Sequence, residues 1–197
     1  MAGERFLPDP SAMRLSTRRR VFLLALCLVS TGCVHRIHVA PVPTSAPSNT
    51  IPRSLQVTLS PPALEGPDHR PGITFLDWPH RDLTQGILGY LRQRGTFSSV
   101  SQESGDLSLY VAAKLALSSR RGLYHYRVIL EADMRDASQL IKSYLTEQTA
   151  VGSSIRWVTA SDRRPIEAAL QLALEELMGK IETDRLLYLN RTTQPAS

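Results

Sequence analysis

Apolar and polar positions alternate with a period of two in several parts of this chain. The longest such run covers 107–117, and a second covers 124–134. This is the spacing of a β-strand with one buried face. A shorter alternation covers 55–59, and a more polar run covers 140–150. Short turn-like segments separate the runs at 107–117, 124–134 and 140–150. These three runs therefore predict an antiparallel meander with one face in solvent.

Two segments change to the spacing of a helix. Residues 81–94 repeat apolar side chains at helical intervals and end at Gly95, a residue that favours the left-handed conformation of a helix C-terminus. A second apolar stripe extends over 166–181. Acidic residues of this second segment, Glu167 and Glu175 among them, are predicted to face solvent.

The order of these elements predicts the fold class. Strand, helix, three strands and helix (β-α-β-β-β-α) correspond to an α+β fold, a two-layer sandwich with two helices packed on one face of a mainly antiparallel sheet. Gly86 and Gly89 weaken the interior of the first helix by about 1 kcal/mol each relative to alanine. We expect them to allow a close approach of that helix to the sheet.

The amino-terminal region has the order of a secretory signal peptide. Three arginines at 18–20 precede nine apolar residues at 21–29, and small residues then lead to Cys33. The apolar run is too short to span a bilayer, which requires about 20 residues. The sequence Ser30-Thr31-Gly32-Cys33 resembles the lipobox of bacterial lipoproteins, although leucine is commoner than Ser30 at its place. The resemblance implies cleavage between Gly32 and Cys33 and lipidation of Cys33; the alternative is an ordinary cleaved signal with a chance cysteine.

These features divide the chain into four predicted parts. Residues 1–32 are an amino-terminal extension and lipoprotein signal peptide, with Met1 and Met13 both open as the start of translation. Residues 33–53 are the lipidated cysteine and a tether rich in proline, serine and threonine, which has little apolar surface to bury. Residues 54–187 are a periplasmic α+β domain, and 188–197 are a polar tail.

Processing at Cys33 changes the charge and thiol content of the chain. Of 23 basic and 18 acidic residues, five arginines and two acidic residues precede the cleavage point, so 18 and 16 remain. Most of the excess positive charge therefore belongs to the signal peptide, which argues against a nucleic-acid partner. Cys27 would be removed and Cys33 acylated, so the processed chain would have no thiol for a disulfide.

Few motifs of catalytic or binding chemistry occur. The sequence has no serine-hydrolase elbow, phosphate-binding loop or metal-binding helix motif, so we assign no catalytic residue, metal site or cofactor. Arg120, Arg121 and Arg127 form the most basic patch of the processed chain and are candidate anion-binding residues; the alternative is a turn kept soluble by its charge. Glu131 and Asp133 share one strand face, either as an acid/base pair or, as we prefer, as charges on a solvent-exposed surface.

Three stretches together resemble a group of small Gram-negative envelope lipoproteins and periplasmic domains. They are the helix 83–91 ending at Gly95, the strand entry Asp106-Leu107-Ser108-Leu109, and the strand 124–134. The group includes the LptE, PelC and YajG lipoproteins and the amino-terminal domain of TolB. Val34, where aspartate would retain an enterobacterial lipoprotein in the inner membrane, favours the outer membrane with the domain facing the periplasm.

The combined resemblances imply a non-catalytic, lipid-anchored lipoprotein. It would be an accessory or assembly subunit of an outer-membrane or cell-envelope complex, with the membrane and another envelope protein as partners and no nucleic acid. An alternative is a binding module for an anionic envelope glycan or lipid such as lipopolysaccharide, and a hydrolase is a third. The sequence leaves the oligomeric state open.

Overall fold

A computed structural model of the chain describes residues 33–65, 74–121, 123–152 and 160–189. The predicted signal peptide, Gly32 and the end of the predicted tail lie outside these ranges. The described elements are β1 (Cys33–Arg36), β2 (Ile51–Leu59), β3 (Ala63–Glu65), β4 (Thr74–Asp77), α1 (His80–Arg94), β5 (Phe97–Ser101), β6 (Leu107–Arg120), β7 (Leu123–Asp136), β8 (Gln139–Gly152), α2 (Ala160–Thr183) and α3 (Leu186–Leu189).

Within the described ranges, six strands form one mixed sheet. Its order is β5-β2-β6-β7-β8, and β3 pairs with β6 farther along that strand. The predicted meander of β6, β7 and β8 is antiparallel, with Tyr110 opposite Asp133 and Asp133 opposite Ser143. β2 lies parallel to both β5 and β6. β1 and β4 form a separate parallel pair, in which Cys33 is in register with Thr74.

The sheet has one covered and one open face. Alternate side chains of β6 and β7 are buried from Leu107 to Leu117 and from Tyr126 to Met134, and they share one core with the apolar stripe of α2. α1 ends at Gly95, whose φ of 72° is left-handed and whose N–H donates to the Leu91 carbonyl. The α+β fold with helices against a sheet is therefore confirmed.

Both helices begin at the same end of the molecule. The His80 imidazole at the start of α1 lies 3.0 Å from the carbonyl of Leu59, the last residue of β2. At the start of α2, Asp162 accepts a hydrogen bond from the Tyr126 hydroxyl near the beginning of β7. The turn between β6 and β7 lies farther out in the same direction, because Tyr126 is in register with Leu117, three residues before Arg120, and Leu59 with Val111, nine residues before it. We call the end that this turn occupies the hairpin pole. The far pole holds the C-termini of α1 and α2, the turn between β7 and β8, and α3.

Residues 37–50, here called the strap, pack between the two helices. Ile37 is fully buried, Val39 is 5% exposed, and an added Cβ on Gly86 of α1 would lie 2.8 Å from the Val39 carbonyl oxygen. The structure thus differs from the free tether predicted for 33–53, because alternating apolar side chains of this segment enter the core. It differs at the other end too, since Tyr188 is fully buried although 188–197 was predicted as a polar tail.

Candidate functional site

The direction of the strap shows on which side of the domain Cys33 lies. His38 lies 2.5 Å from Asp82 at the start of α1, while Ser45 lies 3.4 Å from Arg94 at its end. The strap therefore runs parallel to α1, away from the hairpin pole. Cys33 precedes the strap as the first residue of β1, so the residue predicted to carry lipid lies at the end of the molecule where the helices begin.

Three glutamates of α2 hold the backbone of the strap. Each accepts a hydrogen bond from an N–H group, and the pairs are Ala40 with Glu167 (3.1 Å), Thr44 with Glu175 (2.7 Å) and Ser48 with Glu182 (2.9 Å). The helix rises about 22 Å between the first and last glutamate, and eight strap residues span this length at about 2.8 Å each, close to polyproline II geometry. Prolines 41, 43 and 47 occupy positions between the donors, where no N–H is needed.

A buried arginine completes this arrangement at the far pole. The Arg94 guanidinium donates from Nε to Glu182 Oε1 at 2.7 Å and from Nη1 to Glu175 Oε2 at 2.5 Å. Glu182 is fully buried and also accepts from the Thr96 hydroxyl at 2.8 Å. We call Arg94, Thr96, Glu175 and Glu182, together with the strap groups that they bind, the clasp.

Electrostatics keep the clasp ionised at neutral pH. Burial acts to raise the pKa of Glu175, but hydrogen bonds from Thr44, Arg94 and Ser45 outweigh it and lower that pKa to about 2. Burial likewise acts to raise the pKa of Glu182, and the bonds from Arg94, Thr96 and Ser48 lower it below the usual value. For Arg94, burial acts to lower the pKa, and the two carboxylates raise it instead.

Sequence reasoning missed the clasp. It assigned Glu167 and Glu175 to the solvent side of the helix, whereas the Glu175 side chain is only 18% exposed and binds the strap. A usable signal was present, because intervals of eight and seven residues place Glu167, Glu175 and Glu182 on one helix face. Gly86 also differs from its prediction, since its close approach is to the strap and not to the sheet.

The structure separates the three candidate anion-binding arginines. Arg120 and Arg121 lie exposed at the hairpin turn, and neither forms an ion pair with any residue in the described ranges. Arg127 lies opposite Ala116, four residue pairs away from the pair of Arg120 and Leu123. At the rise of a strand this separation is about 13 Å. Its Nη1 is 3.2 Å from Glu147 Oε1. Two of the three arginines therefore remain free of the described acidic groups.

Glu131 and Asp133 lie on the open face of the sheet. Asp133 accepts a hydrogen bond from the Ser143 hydroxyl at 2.6 Å and lies 3.6 Å from Arg135. Glu131 is exposed and in register with Leu145. This surrounding of polar and charged neighbours is typical of a solvated sheet face. In the described part of the chain, no group of three or more His, Cys, Asp or Glu residues has the arrangement of a metal site.

Comparisons with known proteins support the fold and leave the function open. No family model matches the chain, and no curated protein matches it. A protein of Xanthomonas campestris, of the DUF330 family model, has a similar structure, with a TM-score of 0.52 and 16% identity over 78% of this chain and 95% of that chain. At this identity the likeness establishes the fold alone.

Two further solved structures are less similar and are lipoproteins by name. A minor lipoprotein of Acinetobacter baumannii has a TM-score of 0.45 and 10% identity, over 67% of this chain and 94% of that chain. A lipoprotein of Neisseria meningitidis has a TM-score of 0.30 and 12% identity, over 66% of this chain and 99% of that chain. Among the residues that the structure describes, no helix is long and apolar enough to cross a membrane.

Proposed function

We propose that this chain is a non-catalytic bacterial lipoprotein. Its signal peptide is cleaved between Gly32 and Cys33, and Cys33 then carries lipid that anchors the domain to the outer membrane on its periplasmic side. The observation that carries the proposal is the sequence from the arginines at 18–20 through the apolar run to Ser30-Thr31-Gly32-Cys33.

Its role is that of an accessory or assembly subunit of an envelope complex. Its domain resembles those of the group that includes LptE, PelC, YajG and the TolB amino-terminal domain. The support lies in β8, which is the last strand in the sheet order and is 14 residues long. Leu140, Leu145 and Val151 of this strand are about half exposed, at 48%, 58% and 53%. An edge strand with apolar side chains is suited to pairing with a strand of another protein.

The second candidate function is a binding module for an anionic envelope glycan or lipid such as lipopolysaccharide. The observation that favours it is the pair Arg120 and Arg121, which are exposed and have no acidic partner among the described residues. Guanidinium groups of this kind bind phosphate or carboxylate through two parallel hydrogen bonds. Arg127 contributes less to such a site, since Glu147 already neutralises it.

Lipid attachment is tested by replacing each cysteine in turn. Cells that express the wild type, Cys33→Ser or Cys27→Ser are fed labelled palmitate, and the protein is isolated from membrane and soluble fractions. We expect Cys33→Ser to lose the label, because only the thiol at the cleavage point forms the thioether. The matched control Cys27→Ser lies in the part that cleavage removes and should keep the label. Retention of the label by Cys33→Ser would show that the lipoprotein proposal is wrong.

A further inference from the structure

We infer that the hairpin pole rests on an anionic phospholipid surface, with Arg120 and Arg121 against the phosphate headgroups. The inference depends on the proposed lipidation of Cys33. It adds a defined orientation of the domain on the membrane: hairpin pole at the lipid, far pole and its loops directed away from it.

The position of the anchor is the first argument. Cys33 starts β1, which is paired with β4 and leads directly into the strap. The strap is fixed to both helices, so no flexible spacer separates the lipid from the domain among the described residues. Because the strap runs toward the far pole from the side on which both helices begin, lipid on Cys33 would turn the hairpin pole toward the bilayer. Side chains at the hairpin pole would then encounter the lipid surface at a high effective concentration.

The balance of charge at this pole is the second argument. On the half of the molecule toward this pole, most acidic side chains have a basic neighbour within the described ranges; the pairs are Asp77 with Arg36, Asp82 with His38, Glu65 with Lys114, Glu147 with Arg127 and Glu167 with Arg163. Asp162 is bound by the Tyr126 hydroxyl instead. Four exposed arginines remain without an ion pair to a described residue, and they are Arg81, Arg120, Arg121 and Arg164.

The side chain that follows the turn is the third argument. Leu123 begins β7 beside the two arginines and is 46% exposed. An exposed apolar side chain next to guanidinium groups can enter the boundary between headgroups and acyl chains while the arginines contact the headgroups. Arg121 adopts a φ of 54°, a left-handed conformation that sharpens the turn at which these side chains project. The tip is therefore suited to a membrane surface, where charged headgroups cover the apolar acyl chains.

The test measures the environment of single positions on the acylated protein in vesicles. A cysteine is introduced at Leu123 or, as the matched control, at Leu140, which is 48% exposed and lies at the far pole. Since acylation would consume the thiol of Cys33 and processing would remove Cys27, the introduced thiol is the only one to label with an environment-sensitive fluorophore. The protein is reconstituted into vesicles of phosphatidylcholine alone or of phosphatidylcholine mixed with phosphatidylglycerol.

We expect the fluorophore at position 123, and not that at 140, to shift to the blue and become shielded from an aqueous quencher in the phosphatidylglycerol vesicles. Replacing both Arg120 and Arg121 by serine should lower the ratio of docked to undocked protein about thirty-fold. High salt should weaken docking in the same direction. Arg185→Ser, an exposed arginine at the far pole, should leave the ratio unchanged.

Two failures can be told apart. If the protein does not enter either kind of vesicle, the lipid anchor is absent, and the proposed function fails together with the inference. If it enters both but positions 123 and 140 report the same environment, the anchor stands and the orientation is wrong. Docking that survives the double serine replacement would also overturn the inference, because the arginines would then contribute nothing.

Discussion

Arginines at the two poles have opposite surroundings. At the far pole, Arg94 is 7% exposed and lies between the carboxylates of Glu175 and Glu182. At the hairpin pole, Arg121 is exposed and has no ion pair with a described residue. The first guanidinium contributes to folding because it joins α1, α2 and the strap. The second is available to a partner. Arginine therefore has two roles in this chain, and the burial of the side chain, not its type, decides which of them it has.

The difference is one of desolvation. A buried ion pair gains little over apolar packing, because removing both charges from water costs about as much as their attraction returns. Its contribution is to specificity: the clasp has fixed donors and acceptors, so it defines where along α2 each strap residue lies. An exposed arginine stays hydrated in the folded state, and its attraction for an anion weakens as the salt concentration rises.

Replacing each arginine by methionine should separate the two roles most strongly. Arg94→Met leaves Glu175 and Glu182 buried without a cation and should lower the free energy of unfolding by about 3–5 kcal/mol. Arg121→Met is the matched control and should change it by less than about 0.5 kcal/mol. Urea unfolding followed by circular dichroism measures both. Equal effects of the two substitutions would mean that Glu175 and Glu182 do not need the Arg94 guanidinium as their counter-charge in the folded state.

The sequence predicted the elements with strong periodicity. β6, β7 and the apolar stripe of α2 follow from spacing alone, and so does the left-handed end of α1 at Gly95. The strap did not follow from spacing, because its prolines and serines are typical of a linker, and its partners lie more than 120 residues away. Long-range hydrogen bonds to an extended backbone leave no local periodic signal. Of the candidate site, the exposure of Arg120 and Arg121 was foreseeable, whereas the pairing of Arg127 with Glu147 depended on strand register.

A smaller effect with a defined pH dependence is expected for Glu175→Gln. Glutamine keeps the shape but not the charge that accepts from Thr44 and Arg94, so the loss should be about 1.5–3 kcal/mol at neutral pH. The pKa of Glu175 is about 2 in the folded state and 4.5 as its ordinary value. A lowered pKa means that the unfolded state binds more protons between these values, so the stabilisation is complete above about pH 4.5 and is lost as the pH falls toward 2.

Urea unfolding of wild type and Glu175→Gln across this range measures that dependence. The difference in unfolding free energy should be constant from neutral pH to about pH 4.5 and should then shrink. Glu182 has its pKa shifted in the same direction, so the variant keeps some acid sensitivity of its own. A difference that grows on acidification would contradict a charged clasp.

The smallest effect concerns the contact between the strap and α1, and the chain offers a matched pair to measure it. Alanine at Gly86 would place a Cβ 2.8 Å from the Val39 carbonyl oxygen, and because that atom belongs to the backbone the strap itself has to move. Overpacking of this kind costs about 1–3 kcal/mol, offset by about 1 kcal/mol of improved helix propensity. Alanine at Gly89 meets nothing within 4 Å and gains the same propensity without the clash.

Gly86→Ala should therefore destabilise the domain by about 1 kcal/mol, while Gly89→Ala should stabilise it by a similar amount. Thermal unfolding of the two variants beside the wild type gives the sign directly. Hydrogen exchange adds the location: Gly86→Ala should speed exchange of the Ala40 and Thr44 amides, which donate to Glu167 and Glu175. If both alanines stabilise the domain equally, the strap does not press on α1 in solution, and the direct link from Cys33 to the folded domain would have to be replaced by the flexible tether that composition alone predicts.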